Sequence, residues 1–311
     1  MGKETAMYDI LIVGAGPAGM TAAIYGRRGG KKTIMVDKLS FGGQIINTPE
    51  IENYPGFKLI SGMEFANTLY NQAIDLGAEM DYGQIVSVEE TKDGNFLVKS
   101  DAGKEYETKT VILATGAKAR PIGLEREAEL TGAGISYCAA CDGAFFKGKT
   151  VAVLGGGNTA LEDAEVLAGM CEKVYLVHRR DQFRGDARTV ERLEGKDNVE
   201  FVLDSVPVEL LGDKMISGIK IKNVKTDQVS ELAVNGVFVA FGHMPVNGDF
   251  ANIVGLDKAG YIDAGESCKT NHPGIFTAGD CRSKKIRQIV TATSDGSTAA
   301  LEAIEYINSR G

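Results

Sequence analysis

Residues 8–19 read Tyr8-Asp9-Ile10-Leu11-Ile12-Val13-Gly14-Ala15-Gly16-Pro17-Ala18-Gly19, an apolar strand running straight into a glycine loop. The spacing G-x-G-x-x-G after a strand opens a dinucleotide-binding βαβ unit. Gly14 permits the tight turn, Gly16 lets the backbone approach a pyrophosphate, and Gly19 allows the following helix to pack on the strand. Pro17 and Ala18 begin that helix, whose amino terminus receives the phosphates. A helix over Ala18–Arg28 and a strand over Lys32–Asp37 are predicted next. Asp37 closes this strand 18 residues after Gly19, near the interval of about 20 expected for an acid that binds ribose hydroxyls. Alternating strands around the Asp93-Gly94 turn follow, then the apolar strand Thr110–Ala114, ending at Thr115-Gly116.

The same order recurs from Thr150. A strand Thr150–Leu154 enters Gly155-Gly156-Gly157-Asn158-Thr159-Ala160, a helix is predicted over about Thr159–Met170, and a strand over Lys173–Val177. Gly155, Gly157 and Ala160 hold the fingerprint positions, with Asn158 and Thr159 at the helix start. Here the second strand ends in His178-Arg179-Arg180-Asp181-Gln182-Phe183-Arg184, with cations in place of an acid. A carboxylate would repel a 2′-phosphate and guanidinium groups pair with one, so Arg179, Arg180 and Arg184 point to NADPH rather than NADH. The plain alternative is a solvated basic surface. His178 either joins that site or packs at the strand end. Alternating segments over Val199–Ala233 lead to the apolar strand Val237–Phe241, ending at Gly242. Residues 247–311 are too few for a third domain: a short strand near Gly274–Ala278, the turn Gly279-Asp280 and a helix from about Ser294 to Ser309.

Strand, glycine loop and helix repeated in this order give an α/β fold of two Rossmann-like, three-layer domains. The closing segment is read as a return to the first domain. The domains are then 1–117 with 247–311, and an inserted 118–246. The crossings near Gly116–Pro121 and Gly242–Gly248 are rich in Gly or Pro and are expected to act as hinges.

Between the two fingerprints lies Cys138-Ala139-Ala140-Cys141-Asp142. Two cysteines at this spacing close a small ring, and a helix start or cation beside them makes thiolate available near neutral pH. Exchange with a partner's disulfide passes through a mixed disulfide that one cysteine forms and the other resolves. Asp142 is placed to move a proton to the departing thiolate, or else to cap the following turn. Structural zinc is the competing use of the pair. It wants four ligands, and neither the spacing of Cys268 and Cys281 nor that of His178, His243 and His272 supplies a second close pair. No metal is expected. Cys171, Cys268 and Cys281 read as small buried hydrophobes.

Composition narrows the class. The 311 residues carry a formal net charge of −8, with 43% hydrophobic and 24% charged residues. No basic tract suits a nucleic-acid backbone. The segment Met1–Met7 lacks the apolar core of a signal peptide, and no stretch reaches the roughly 18 apolar residues that span a bilayer. Five cysteines in so long a chain favour a reducing cytoplasm over a secreted disulfide scaffold.

Together the two fingerprints, the CxxCD, Gly42-Gly43-Gln44, Glu52-Asn53-Tyr54-Pro55-Gly56, Ala114-Thr115-Gly116, the His178–Arg184 run, Thr277-Ala278-Gly279-Asp280 and Arg287-Gln288 resemble the low-molecular-weight thioredoxin reductases over essentially the whole chain. The resemblance implies an oxidoreductase, a flavoprotein that passes electrons from NADPH through FAD to the dithiol and on to thioredoxin or a thioredoxin-like protein. FAD would lie in the discontinuous domain, with Asp280, after Gly279, on the ribityl chain and Gly43, Gln44, Asn53, Arg287, Gln288 and Ile289 around the flavin. The resemblance places NADPH in the inserted domain, with Cys141 facing the flavin, Cys138 attacking the partner disulfide, and Asp142 as the acid-base residue. It also implies a homodimer. A relative of the same fold fed by ferredoxin or reduced flavin is the alternative, and the arginine run argues against it.

Overall fold

The computed structural model of the chain describes residues 7–48 and 50–310. Residues 1–6, most of the segment read above as lacking a signal-peptide core, lie outside the described residues. The chain divides into two compact units, with crossings between Lys118 and Ala119 and between His243 and Met244.

The first unit is built on the strand that opens the sequence. Ile10, Leu11 and Ile12 are fully buried, as expected of a parallel strand covered on both faces. Side chains alternate across the sheet. Ile10 and Ile12 therefore pack with Ala22, Ala23, Ala299, Ala300 and Ala303 on the helical side. Leu11 and Val13 pack with Phe250, Val254 and Ile262 on the other. Each Ile, Leu, Val or Phe among them contributes about 1.5–3 kcal/mol on leaving water. Strand Tyr8–Val13 lies between Thr33–Asp37 and Glu105–Leu113, parallel to both, with Ile12 opposite Met35 and Ile112. Glu79–Tyr82 extends the sheet beyond Thr33–Asp37. On the other side Glu105–Leu113 pairs twice: its first half antiparallel with Phe96–Ser100, its second half parallel with Ile275–Thr277. Ile85–Glu90 closes that edge. Among the described residues this makes a seven-stranded sheet.

Helix Ile289–Ser309 crosses closely against helix Pro17–Arg28, since a Cβ on Gly296 would come within 2.2 Å of the Ala18 carbonyl oxygen. The sequence reading starts this helix at about Ser294, five residues late. Gln288 and Thr291 form a capping box, each side chain accepting from the other's backbone N–H. A Gln-x-x-Thr box lies outside the usual Ser/Thr-x-x-Glu/Gln signal, so the sequence carries no start signal at Gln288.

The second unit has a parallel sheet in the order Val199–Val202, Lys173–Val177, Thr150–Leu154, Gly236–Val239, Ile135–Ser136. Helix Asn158–Ala168 covers one face through Ala160, Leu161, Ala164 and Leu167. The segment Val199–Ala233, read as one alternating stretch, is two structures. Val199–Val202 is an edge of the parallel sheet, whereas Ser205–Leu211, Gly218–Asn223 and Val229–Ala233 form a separate antiparallel sheet. Asp204, at φ 50°, breaks the chain between them. Where this unit begins and ends, the Arg120 N–H donates to the Gly242 carbonyl at 2.9 Å.

Candidate active site

Both glycine loops divide their glycines between two kinds of constraint. At Gly14 a Cβ would lie 2.3 Å from the Ala114 carbonyl oxygen, and at Gly19 1.9 Å from the Gly14 carbonyl oxygen. Packing within the protein explains both. Gly16 is different: φ is −75° and a Cβ would meet nothing nearer than the Gly43 Cα at 3.9 Å. The second loop repeats the division. Gly155 is crowded by the Ala240 carbonyl and Gly156 by the His178 ring, whereas Gly157, at φ −98°, has nothing within 4 Å. Gly16 and Gly157 are each the N-cap of the helix that follows, and neither end has a side-chain cap. An open, uncapped helix start with glycine at the cap is where an anion can reach backbone N–H groups.

Around the first loop, Asp37 Oδ2 accepts the Ala15 N–H at 2.8 Å and Oδ1 the Leu39 N–H at 3.1 Å. The acid thus ties the strand end to the loop. Gly42 and Gly43 take left-handed φ values of 99° and 61°, and the Gly42 N–H donates to the Ala15 carbonyl. This turn brings Gly43 beside Gly16, and Gln44 follows it in the chain. Asn53 Nδ2 donates to Gln288 Oε1 at 3.3 Å, joining two positions 235 residues apart. Ile289, next to Gln288, begins the C-terminal helix. Ala114 pairs by its N–H with Val13, and Thr115 donates to the buried Asn247 Oδ1 at 2.7 Å. Gly116, at φ 68°, follows.

Asp280 stands in the turn Gly279–Cys281, where Gly279 Cβ would strike the Ala18 side chain. Its Oδ1 is buried without a hydrogen-bond partner. Burial pushes the carboxyl above its ordinary range, against the opposing charges of Lys284 and Arg287, while Asp295 pushes it further up. Arg287 lies over the Tyr261 ring at 4.2 Å. An orphaned buried carboxylate oxygen costs free energy and marks a place where a hydroxyl-bearing group fits.

The turn is held from behind by an ion cluster that sequence reasoning missed. Asp295 accepts from Arg282 Nε and Nη2 and from Lys284 Nζ, all at 2.8 Å, and from the Gly279 N–H at 3.0 Å. All three side chains are no more than 10% exposed. Burial alone would raise the Asp295 pKa; the hydrogen bonds from Arg282 and Lys284 reverse this and hold it below the usual carboxylate range. Removing one partner of a buried ion cluster strands the others. Asp295→Ala is therefore expected to lower the unfolding free energy by about 3–5 kcal/mol, read from urea denaturation at pH 7. The wild-type contribution is full above the unfolded carboxylate range and is lost as pH falls through the depressed folded value. The wild-type–variant difference should shrink on acidification.

The second loop borders a cavity of about 840 Å³ in the second unit. Gly155, Gly157 and Thr159 line it, as do His178, Arg179 and Arg184. Arg180 is exposed but does not line the wall; its carbonyl accepts the Asp204 N–H. Asn158 turns its Oδ1 to the Asp186 N–H, and Ala160 is buried beneath Gly155. The Arg184 N–H donates to the Gly156 carbonyl at 2.7 Å, fastening the arginine run to the glycine loop. His178 is buried, stacks on Phe183 and bonds the Gln182 carbonyl through Nε2. Burial lowers its pKa, and the three neighbouring arginines lower it further against the pull of the Gln182 carbonyl. The His178 ring lies against Gly156 and shapes the loop. Arg120 also lines the cavity. Its distance in sequence from the arginine run left no local signal.

Cys138 and Cys141 are joined in a disulfide. Cys138 caps the short helix Ala139–Asp142 in an extended conformation, and its carbonyl accepts the Cys141 and Asp142 N–H groups. Both cysteines are half-buried, Ala140 between them is exposed, and Ala139 is buried among the side chains of helix Asn158–Ala168. Asp142 makes no capping bond to the turn that follows. Instead its Oδ2 accepts the Ser136 hydroxyl at 2.6 Å, and its Oδ1 is buried without a partner. Burial raises its pKa, offset in part by Ser136. A carboxyl that keeps its proton to higher pH, one oxygen committed and one free, suits proton transfer. Cys171, Cys268 and Cys281 are buried and free. Among the described residues no helix is long and apolar enough to cross a membrane.

The family model of pyridine nucleotide-disulphide oxidoreductases matches residues 8–296. A thioredoxin reductase of Listeria monocytogenes is 42% identical over 308 residues, 99% of this chain and 96% of the relative. A thioredoxin reductase of Bacillus subtilis is 41% identical over 306 residues, 98% of this chain and 96% of the relative. The crystal structure of thioredoxin reductase from Streptococcus pyogenes superposes with a TM-score of 0.93 at 42% identity, covering 98% of this chain and 100% of that one.

Proposed function

We propose that this chain, which belongs to the pyridine nucleotide-disulphide oxidoreductase family, is an NADPH-dependent thioredoxin-disulfide reductase. Electrons pass from NADPH through FAD to Cys138–Cys141 and then to oxidised thioredoxin. The observation that carries this reading is the disulfide itself, formed by two half-buried cysteines on a chain 42% identical to a thioredoxin reductase.

FAD supplies a two-electron carrier between the nicotinamide hydride and the disulfide. The first unit fits it: Gly16 leaves the helix start open, and Asp280 Oδ1 lacks a partner that a ribityl hydroxyl provides. Asn53, Gln288 and Arg287 would hold the flavin ring. In the second unit Gly157, Arg179 and Arg184 line one cavity; Gly157 would receive the pyrophosphate of NADPH, and Arg179 and Arg184 its 2′-phosphate.

In the reduced dithiol, the Cys138 thiolate attacks one sulfur of the partner disulfide and expels the other as a thiolate, leaving a mixed disulfide. The Cys141 sulfur then bonds to Cys138, breaking the mixed disulfide and expelling the second partner sulfur. Asp142 accepts the Cys141 proton and delivers it to the departing thiolate. The protein ends oxidised by two electrons and the partner reduced by two. A homodimer in the cytoplasm is part of the same reading.

Purified protein is expected to be yellow, and NADPH added anaerobically should bleach the flavin band. Bleaching only by reduced ferredoxin would favour the alternative donor. Losing one charge-assisted hydrogen bond to a phosphate is worth about 1.5–3 kcal/mol. Arg184→Ala should therefore raise the KM for NADPH by about tenfold or more and leave that for NADH unchanged. Equal losses with both nucleotides would remove Arg184 from the 2′-phosphate site.

A further inference from the structure

Ser136 occupies the last position of the short edge strand Ile135–Ser136 and is 4% exposed. Its oxygen has three contacts, one of them with the Cys138 carbonyl at 3.4 Å, and its single proton goes to the nearer acceptor. It donates to Asp142 Oδ2 at 2.6 Å and accepts the Cys138 N–H at 3.1 Å. The hydroxyl therefore links the backbone of the first cysteine to the carboxyl that follows the second. We propose that Ser136 is a positioning residue for thiol–disulfide exchange: it fixes Asp142 against the dithiol turn so that Oδ1 remains free to carry the proton between Cys141 and the departing partner thiolate.

The proposal rests on the acid-base role of Asp142 given above and adds the group that holds it in place. Without the hydroxyl, Asp142 Oδ2 would lose its hydrogen bond, and the carboxyl would be free to rotate away. The proton count is unchanged by Ser136, which keeps its own proton throughout. Other carboxyls face the turn from the packed helix Asn158–Ala168. Asp163 receives the Ala139 N–H; burial raises it to about 6, and neighbouring Glu162 adds to the rise. Asp163 therefore titrates beside the dithiol, and Asp163→Asn is needed as a control in any pH profile.

The test compares two oxidants in single turnovers of enzyme chemically reduced at Cys138–Cys141. A bacterial thioredoxin leaves as an alkyl thiolate that needs a proton, whereas 5,5′-dithiobis(2-nitrobenzoate) leaves as an aromatic thiolate of low pKa that does not. General acid-base catalysis is commonly worth 10²–10⁴-fold. Ser136→Ala is expected to lower the ratio of the thioredoxin rate to the aromatic-disulfide rate by about tenfold, part of the Asp142 effect. Asp142→Asn should lower that ratio further, and Ser136→Thr, which keeps a hydroxyl, should restore it. The acidic limb of the thioredoxin pH profile should move to higher pH in Ser136→Ala, because the hydrogen bond that holds the Asp142 pKa down is gone. It should do so equally in the Asp163→Asn background.

Equal slowing of both oxidants, or none, in Ser136→Ala while Asp142→Asn remains selective would overturn the role of Ser136 alone. If Asp142→Asn is also unselective, the acid-base reading of Asp142 falls with it. Ser136→Gly repeats the deletion should the alanine variant not fold.

Discussion

Replacing either Cys138 or Cys141 by serine abolishes NADPH-driven reduction of thioredoxin and leaves bound flavin in place. The two substitutions should nevertheless behave differently. With Cys141→Ser, Cys138 can still attack and the mixed disulfide with thioredoxin has no resolving thiol, so a covalent complex accumulates. In Cys138→Ser the attacking sulfur is gone and no complex forms. Mass spectrometry under non-reducing conditions, after mixing chemically reduced variants with oxidised thioredoxin, reads the difference. A complex with Cys138→Ser but not with Cys141→Ser would reverse the roles of the two thiols. Neither change creates a large cavity, because sulfur and oxygen differ little in volume and both positions are half-buried. Loss of activity would then report chemistry rather than folding.

The second large effect concerns a glycine that the protein itself does not require. Gly157 has ordinary backbone angles and no atom within 4 Å of where a Cβ would stand. Gly157→Val is accordingly expected to fold, losing about 1 kcal/mol because valine is a poor N-cap. It should lose NADPH, because the branched side chain occupies the space through which pyrophosphate approaches the uncapped helix start. Forfeiting two charge-assisted hydrogen bonds at about 1.5 kcal/mol each weakens binding roughly 10²-fold. Titration of fluorescence quenching measures it, with Gly155→Val as the contrast. Crowding by the Ala240 carbonyl and the Ala160 side chain makes that second variant a folding defect. Unchanged NADPH affinity in Gly157→Val would remove the pyrophosphate from this loop.

Much of this was legible in the chain because it is carried by local patterns. Residues 8–19 and 150–160 each place a strand, a turn glycine and a helix start within about a dozen positions, and the structure has strands and helices there. The dithiol is similarly local. What escaped the sequence arises from side chains that meet only after folding. Asp295, Arg282 and Lys284 belong to two segments whose residues look unremarkable when read separately, yet they converge beneath Asp280. Ser136 is two residues from Cys138 and six from Asp142, but a serine at the end of a short strand carries no motif. Its importance comes from the turn Ala139–Asp142 folding back, so that one oxygen reaches both. The arginine run divided in the same way: three cations read as equivalent, of which Arg179 and Arg184 line the cavity and Arg180 does not.

The central claim is that one dithiol connects a nicotinamide donor to thioredoxin. Its most direct test is the oxidation of NADPH, followed by its near-ultraviolet absorbance, by catalytic amounts of the purified flavin-loaded protein with excess oxidised thioredoxin. Turnover that depends on thioredoxin, falls sharply with NADH, and vanishes in both Cys138→Ser and Cys141→Ser is the predicted result. Sustained thioredoxin reduction by a variant lacking either thiol, or a flavin that NADPH does not reduce, would contradict it.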